Sequence, residues 1–155
     1  MEIHETIQLV CTLVMVGCAI YVAWRANRHF QRRALFDWLS QFNSDAYIVR
    51  DKVVFHLIRE NKPEELIEII EGDTEKFTAV TFVMSFLLEG ATSARFRLVD
   101  RDLFARYTIF IVPYYYEALK PWIAHRRKTV HSYLYHDLDW LYEYIREHQS
   151  RIMKQ

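Results

Sequence analysis

The densest run of chemically capable side chains is His125-Arg126-Arg127-Lys128, preceded by Tyr114-Tyr115-Tyr116 and Trp122. Cations beside aromatic rings suit a nucleotide or a single-stranded nucleic acid, whose phosphates meet Arg and Lys while its bases stack. Arg95, Arg97, Arg101 and Arg106 extend that basic character upstream. The plainer reading is that Arg126, Arg127 and Lys128 complement a helix C-terminus and that the tyrosines pack inward. A second cationic group, Arg25, Arg28, Arg32 and Arg33, follows directly on an apolar run. Its plain role is topology and attraction to anionic lipid, and its sharper role is to hold a polyanion close to a membrane surface. Arg25, Arg28, Arg32, Arg33, Arg126, Arg127 and Lys128 are the candidate ligand-binding set.

Arg126 and His131 also match the Arg-x4–6-His pattern of HEPN-type ribonucleases, in which an arginine and a histidine from paired subunits act on a ribose 2′-hydroxyl and phosphate. Arg127 stands where such enzymes usually carry a small polar residue. This reading ranks third, behind two in which the chain is not an enzyme. The remaining histidines, His136 beside Asp137 included, lack metal-ligand spacing. No Gly-rich phosphate loop, nucleophile elbow or HExxH motif occurs. No cofactor is expected.

What must position the cations is read from the segment before them. From Ile7 to Trp24 no side chain is charged, and Gln8 and Thr12 are the strongly polar ones. As a helix the run covers roughly 27 Å, close to the roughly 30 Å hydrocarbon core of a bilayer. Tyr21 and Trp24 suit the aromatic belt at its end. A buried helix of a soluble protein would show a polar stripe, and none appears for five turns. A cleavable signal peptide would need a basic start and a small-x-small cleavage site, whereas Glu2 and Glu5 precede the run and bulky residues follow it. The run therefore reads as an uncleaved anchor. Acid before it and arginine behind it place residues 25–155 in the cytoplasm and the short N-terminus outside. On a helical wheel Gln8, Cys11, Thr12, Met15 and Ala19 share the smaller, more polar side. Such residues gather where membrane helices touch, so they form a candidate helix interface or pore lining. The alternative is that Gln8 and Thr12 are simply tolerated near a boundary.

The 155 residues carry zero net charge, which conceals the basic collar behind the anchor. Cys11 and Cys18 are the two cysteines and both lie in the apolar run, so neither can staple the remaining domain, and a reducing cytoplasm fits. Three glycines and three prolines leave few turns. The patterning is helical almost throughout, predicting an all-α fold: an anchor over residues 1–24 that continues into a cytoplasmic helical domain over 25–155. Phe30, Leu35, Trp38, Leu39 and Phe42 form the stripe on which the first helix enters the domain. Ser44, Pro63 and Asp73 mark later helix starts, and Gly72 marks an end. The second helix is expected to turn Ile48, Val49, Val53, Phe55, Leu57 and Ile58 inward. Phe77, Val80, Phe82, Val83, Phe86 and Leu87 mark an almost wholly buried central helix. Asp100 caps an aromatic helix that Pro113 should kink and Pro121 should break. The last helix is expected over roughly Thr129–Ile152.

The order of an apolar helix with Glu89-Gly90, then Leu98-Val99-Asp100-x-Asp102-Leu103, an aromatic stretch, Pro121-Trp122-Ile123 and Arg126-Arg127 resembles a bacterial family of small anchored helical proteins known as a domain of unknown function. The likeness covers residues 25–150. Ser85 and Glu89 stand where that family would carry an Asn and an acidic residue, and the family implies no catalytic residue. In layout the chain is similar to membrane effectors of bacterial anti-phage systems, including the Hailong type, in which a membrane partner reads a nucleic-acid signal. That resemblance implies an inner-membrane effector that forms homo-oligomers, takes a nucleotide or oligonucleotide ligand and opens the bilayer. The alternative is a membrane-tethered adaptor for a cytoplasmic protein partner.

Overall fold

The computed structural model describes residues 3–153, with side chains described over residues 12–153. Among the described residues the chain is all-helical: α1 (Ile3–Phe42), α2 (Asp45–Glu60), α3 (Leu66–Glu71), α4 (Thr74–Arg95), α5 (Arg101–Thr108), α6 (Ile111–Thr129) and α7 (His136–Ile152). With neither Gly nor Pro between Arg25 and Phe42, nothing interrupts α1, which runs 40 residues, about 60 Å. Among the described residues its first part is uncovered by the bundle. Every side chain from Thr12 to Phe30 is exposed, with Leu13 at 63% and Ile20 at 64%. Only from Gln31 onward does α1 join the bundle, burying Leu35 and Trp38.

The hub is α4, which packs against α2, α3, α5 and α7 and buries Val80, Val83, Met84, Leu87 and Ala91. By length and composition α4 is apolar enough to cross a membrane, but half of its apolar stretch is buried inside the bundle. That burial is the pattern of a core helix. Trp38 of α1 stacks on Phe86 at 4.6 Å and meets the edge of Phe104 at 4.8 Å. The crossing is tight because α4 has Gly90 there: a Cβ on it would lie 2.9 Å from Trp38 Cε2 and overlap the Phe104 ring. Glycine costs a helix about 1 kcal/mol relative to alanine, and here it is kept for close approach.

Of the local signals, Ser44, Asp73, Asp100 and Gly72 act as the sequence predicts, whereas Pro63 lies in a turn and α3 starts only at Leu66. Ser44 Oγ accepts from the Tyr47 amide at 3.3 Å, Asp73 from Glu75 and Lys76 at 2.9 and 3.2 Å, and Asp100 from Leu103 at 3.1 Å. Gly72 closes α3.

Five further expectations need correction. In α2 the buried residues are Tyr47, Val54 and Leu57, while Ile48, Phe55 and Val49, the last at 61%, face outward. Apolar residues circle that helix, and α4 takes only a narrow stripe of them. In α4 itself Phe82 stays exposed. The aromatic helix breaks at Ile109–Phe110 rather than kinking at Pro113. A break there puts Pro113 in the first turn of α6, where its missing N–H leaves no helical bond unmade and its ring meets no carbonyl of a preceding turn. Pro121, expected to break the helix, lies inside α6, which continues to Thr129. The last helix starts at His136, after a turn in which Tyr135 takes the left-handed conformation (φ 62°).

One tether across the bundle yields a pH prediction. Asp137, at the start of α7, accepts from Thr92 Oγ1 at 2.7 Å and from the guanidinium of Arg95, both on α4. Partial burial pushes its pKa up, but those bonds outweigh it and hold the carboxyl below its usual range. A carboxyl lowered on folding stabilises the fold above its unfolded pKa, and that contribution disappears as pH falls through the folded value. Asp137→Asn should cost about 1–2 kcal/mol at neutral pH. In urea melts the difference from the native chain should vanish in acid below the carboxylate range.

Candidate functional site

The two basic surfaces expected from sequence have different fates. At the end of α6, Arg126 lies 3.8 Å from Glu71 and over the rings of Phe77 at 5.1 Å and Trp122 at 6.0 Å. Arg127 grips Asp139 through Nη2 at 2.7 and 2.8 Å and donates from Nε to the Leu134 carbonyl at 2.8 Å, so it ties α6 to α7 and to the turn between them. Asp139 also accepts from the Tyr116 hydroxyl at 2.6 Å. Burial and that bond push the Tyr116 phenol up to about 12, so it remains a donor at neutral pH. Lys128 stays exposed.

Two of the aromatic partners of that cluster, Trp122 and Tyr115, are taken up as well. Trp122 is 0% exposed and donates its indole N–H to Glu71 at 2.9 Å, and Tyr115 is buried with its hydroxyl on Asp51 at 2.6 Å. Neither ring offers a face to a base. His131 lies in the turn after α6, its Nδ1 accepting from the Tyr133 amide at 3.2 Å, and among the described residues no hydrogen bond joins it to Arg126. The α6 end therefore works as a clasp between helices.

The collar on α1 is arranged differently. Arg25, Arg28, Arg32 and Arg33 are all exposed, and among the described residues none pairs with a carboxylate. Arg25, Arg28 and Arg32 follow at three- and four-residue steps, which puts them on one face. Arg28 lies 4.6 Å over the ring of Trp24, a cation–π contact that turns both toward the same side. Trp24, Arg25, Arg28, His29 and Arg32 line a shallow recess of about 140 Å³.

The sequence does not foretell what lies beside the collar. Gln31 Nε2 donates to the Arg97 carbonyl at 2.8 Å, bringing the turn between α4 and α5 against α1 across 66 positions of sequence. Arg28, Gln31, Arg97 and Arg101 thereby line a common cleft of about 240 Å³. Its carboxylates are already engaged: Asp100 caps α5, and Asp102 receives the Tyr144 hydroxyl and Arg151 Nη2, the latter at 3.0 Å. Of the arginines the sequence groups with the α6 cluster, Arg97 joins the collar instead. Arg95 is held by Asp137, and Arg101 lies over Tyr144 at 4.8 Å.

Of the expected interface or pore residues, Thr12, Met15 and Ala19 lie on the exposed part of α1. Gln8 and Cys11 fall outside the residues whose side chains are described.

A family described as a domain of unknown function, DUF4760, matches residues 9–145, from within the apolar run into the middle of α7. No curated protein and no solved structure matches the chain.

Proposed function

We propose that this chain, which belongs to the DUF4760 family, is a single-pass membrane effector. In this reading its cytoplasmic helical domain assembles, takes an anionic ligand at the collar and shifts the anchors so that the inner membrane becomes permeable, as an anti-phage response. The observation that carries it is the stretch of α1 from Thr12 to Trp24, a continuous apolar helix whose described side chains the bundle leaves uncovered. An apolar surface of that extent needs lipid or protein around it. The unbroken helix also gives a direct mechanical route from collar to anchor. Linkage requires the ligand to bind one arrangement of the anchors more tightly than the other.

The test is dye release from vesicles of bacterial lipid carrying the full chain, titrated with single-stranded oligonucleotides and cyclic nucleotides, beside the mass of the intact complex in detergent. Ligand-dependent release by an oligomer is expected, and it should be lost when Arg25, Arg28, Arg32 and Arg33 are replaced together by Gln. A chain that stays monomeric and leaves vesicles tight under every ligand defeats the proposal.

One observation favours a second reading, that of a tethered adaptor. Ile48, Val49 and Phe55 of α2, with Phe82 of α4 and Tyr114 of α6, are exposed aromatic and apolar side chains, and Phe55 meets Tyr114 at 5.9 Å. That surface suits a protein partner. Co-purification with a stoichiometric protein, together with full function on a polyleucine anchor, would select the adaptor.

A further inference from the structure

We infer that the turn between α4 and α5, Phe96-Arg97-Leu98, is a second membrane contact, docking on anionic lipid headgroups beside the collar and fixing how the bundle sits against the bilayer. The inference rests on the anchor reading of α1. Three independent features of this turn lead to it.

The first is composition. Phe96 is 67% exposed and Leu98 53%, and Phe30 of α1 is exposed at 63%. Large apolar side chains among arginines are the mixture that enters the headgroup boundary, rings down and cations on phosphate. Arg28 and Arg97 line one cleft there, so the charge of the turn adds to that of the collar and complements an anionic surface.

The second is level. Gln31, which holds the turn, is seven residues beyond Trp24, about 10 Å along the helix. The headgroup layer on one side of a bilayer is about 5–7 Å thick. Side chains of α1 lean toward its N-terminus, which raises the turn toward the membrane, and an arginine stem spans the remaining few ångströms.

The third is the backbone. The turn closes α4 with a Schellman motif: the Leu98 amide donates to the Ser93 carbonyl at 2.8 Å and the Arg97 amide to the Ala94 carbonyl at 3.2 Å. The first residue past the C-cap Phe96 must then be left-handed, a place normally filled by glycine. Here it is Arg97, with φ 57°. A side chain held where none is favoured, exposed and without a carboxylate partner among the described residues, has a use outside the fold.

The experiment uses the full chain in nanodiscs, with Cys11 and Cys18 replaced by Ala and a spin label placed at Phe96→Cys, Val16→Cys or Tyr133→Cys in turn. Collision with oxygen reports lipid, and collision with a water-soluble nickel chelate reports solvent. Position 96 is expected to lose most of its nickel accessibility in discs containing phosphatidylglycerol, less in pure phosphatidylcholine, while exposed Tyr133 reads solvent in both. Arg97→Gly should raise the melting temperature by a few degrees, because strain is relieved, yet restore nickel accessibility at position 96 severalfold. If position 16 reads lipid while position 96 reads solvent in every disc, the docking inference falls and the anchor stands. Shielding of position 96 only on addition of a single-stranded oligonucleotide reassigns the surface to nucleic acid and also overturns it. If position 16 itself reads solvent, anchor and docking fall together.

Discussion

For the effector proposed above, ligand-triggered dye release is expected to fall about tenfold or more when Ala26 is replaced by proline, while the bundle should keep its melting temperature and the chain its membrane association. Ala26 lies in the exposed stretch of α1 between the apolar run and the hydrogen bond that Gln31 makes to the turn after α4. Proline there removes a backbone hydrogen bond, clashes with the preceding turn and costs an interior helix about 3 kcal/mol. Coupling between a ligand site and a distant response is typically about 1–3 kcal/mol, so a break of that size is enough to uncouple them. The packed side chains Leu35 and Trp38 lie two turns or more away and are undisturbed. Ala26→Leu, which preserves the helix, should release dye like the native chain. Undiminished release by the proline variant would refute transmission through a rigid α1.

The second large effect is on the fold. Trp122→Ala should lower unfolding stability by about 3–5 kcal/mol, since a wholly buried indole is exchanged for a void. A domain of this size has a total stability on the order of 5–15 kcal/mol, so the melting temperature should drop by about 15 °C. The indole also carries the N–H that holds Glu71, and its ring lies 6.0 Å from Tyr135, the strained residue that opens α7. Losing it loosens the clasp among α3, α6 and α7 together. Trp122→Phe keeps most of the volume and loses the hydrogen bond, for which about 1–2 kcal/mol is expected. Thermal melts followed by circular dichroism in detergent separate the two, and equal losses would show that the hydrogen bond, not the packing, dominates.

What was legible in the sequence divides along the range of the interaction. Ser44, Asp73, Asp100 and Gly72 act on backbone groups within four residues of themselves, so their roles could be read directly. The continuity of α1 followed from the lack of Gly and Pro after Arg25. The inward face of α2 was not legible, because Tyr47, Ile48, Val49, Val53, Val54 and Phe55 offer an apolar residue in every direction and only the shape of α4 selects among them. Arg126 and Arg127 could be read as complementing a helix end or as an open cationic patch, but not as paired with Glu71 and Asp139 on other helices, since no local pattern announces such a pairing. Arg97 shows the reverse case. Grouped by sequence with the arginines of α6, it is carried to the collar by a single long-range hydrogen bond from Gln31. The break before Pro113 was half visible: proline announced a disturbance, but its ring conflicts with the turn before it, so the helix yields upstream.

The close crossing at Gly90 makes α1 a lever. Trp38 is seated where α4 has no side chain, edge to face with Phe104 at the same glycine, and from this fulcrum about 46 Å of helix extends to Ile7. A tilt of about 10° at the fulcrum, well within the scatter of helix crossing angles, sweeps the distant end by about 8 Å. Small repacking around one missing methyl group is thereby magnified into a displacement nearly as wide as a helix.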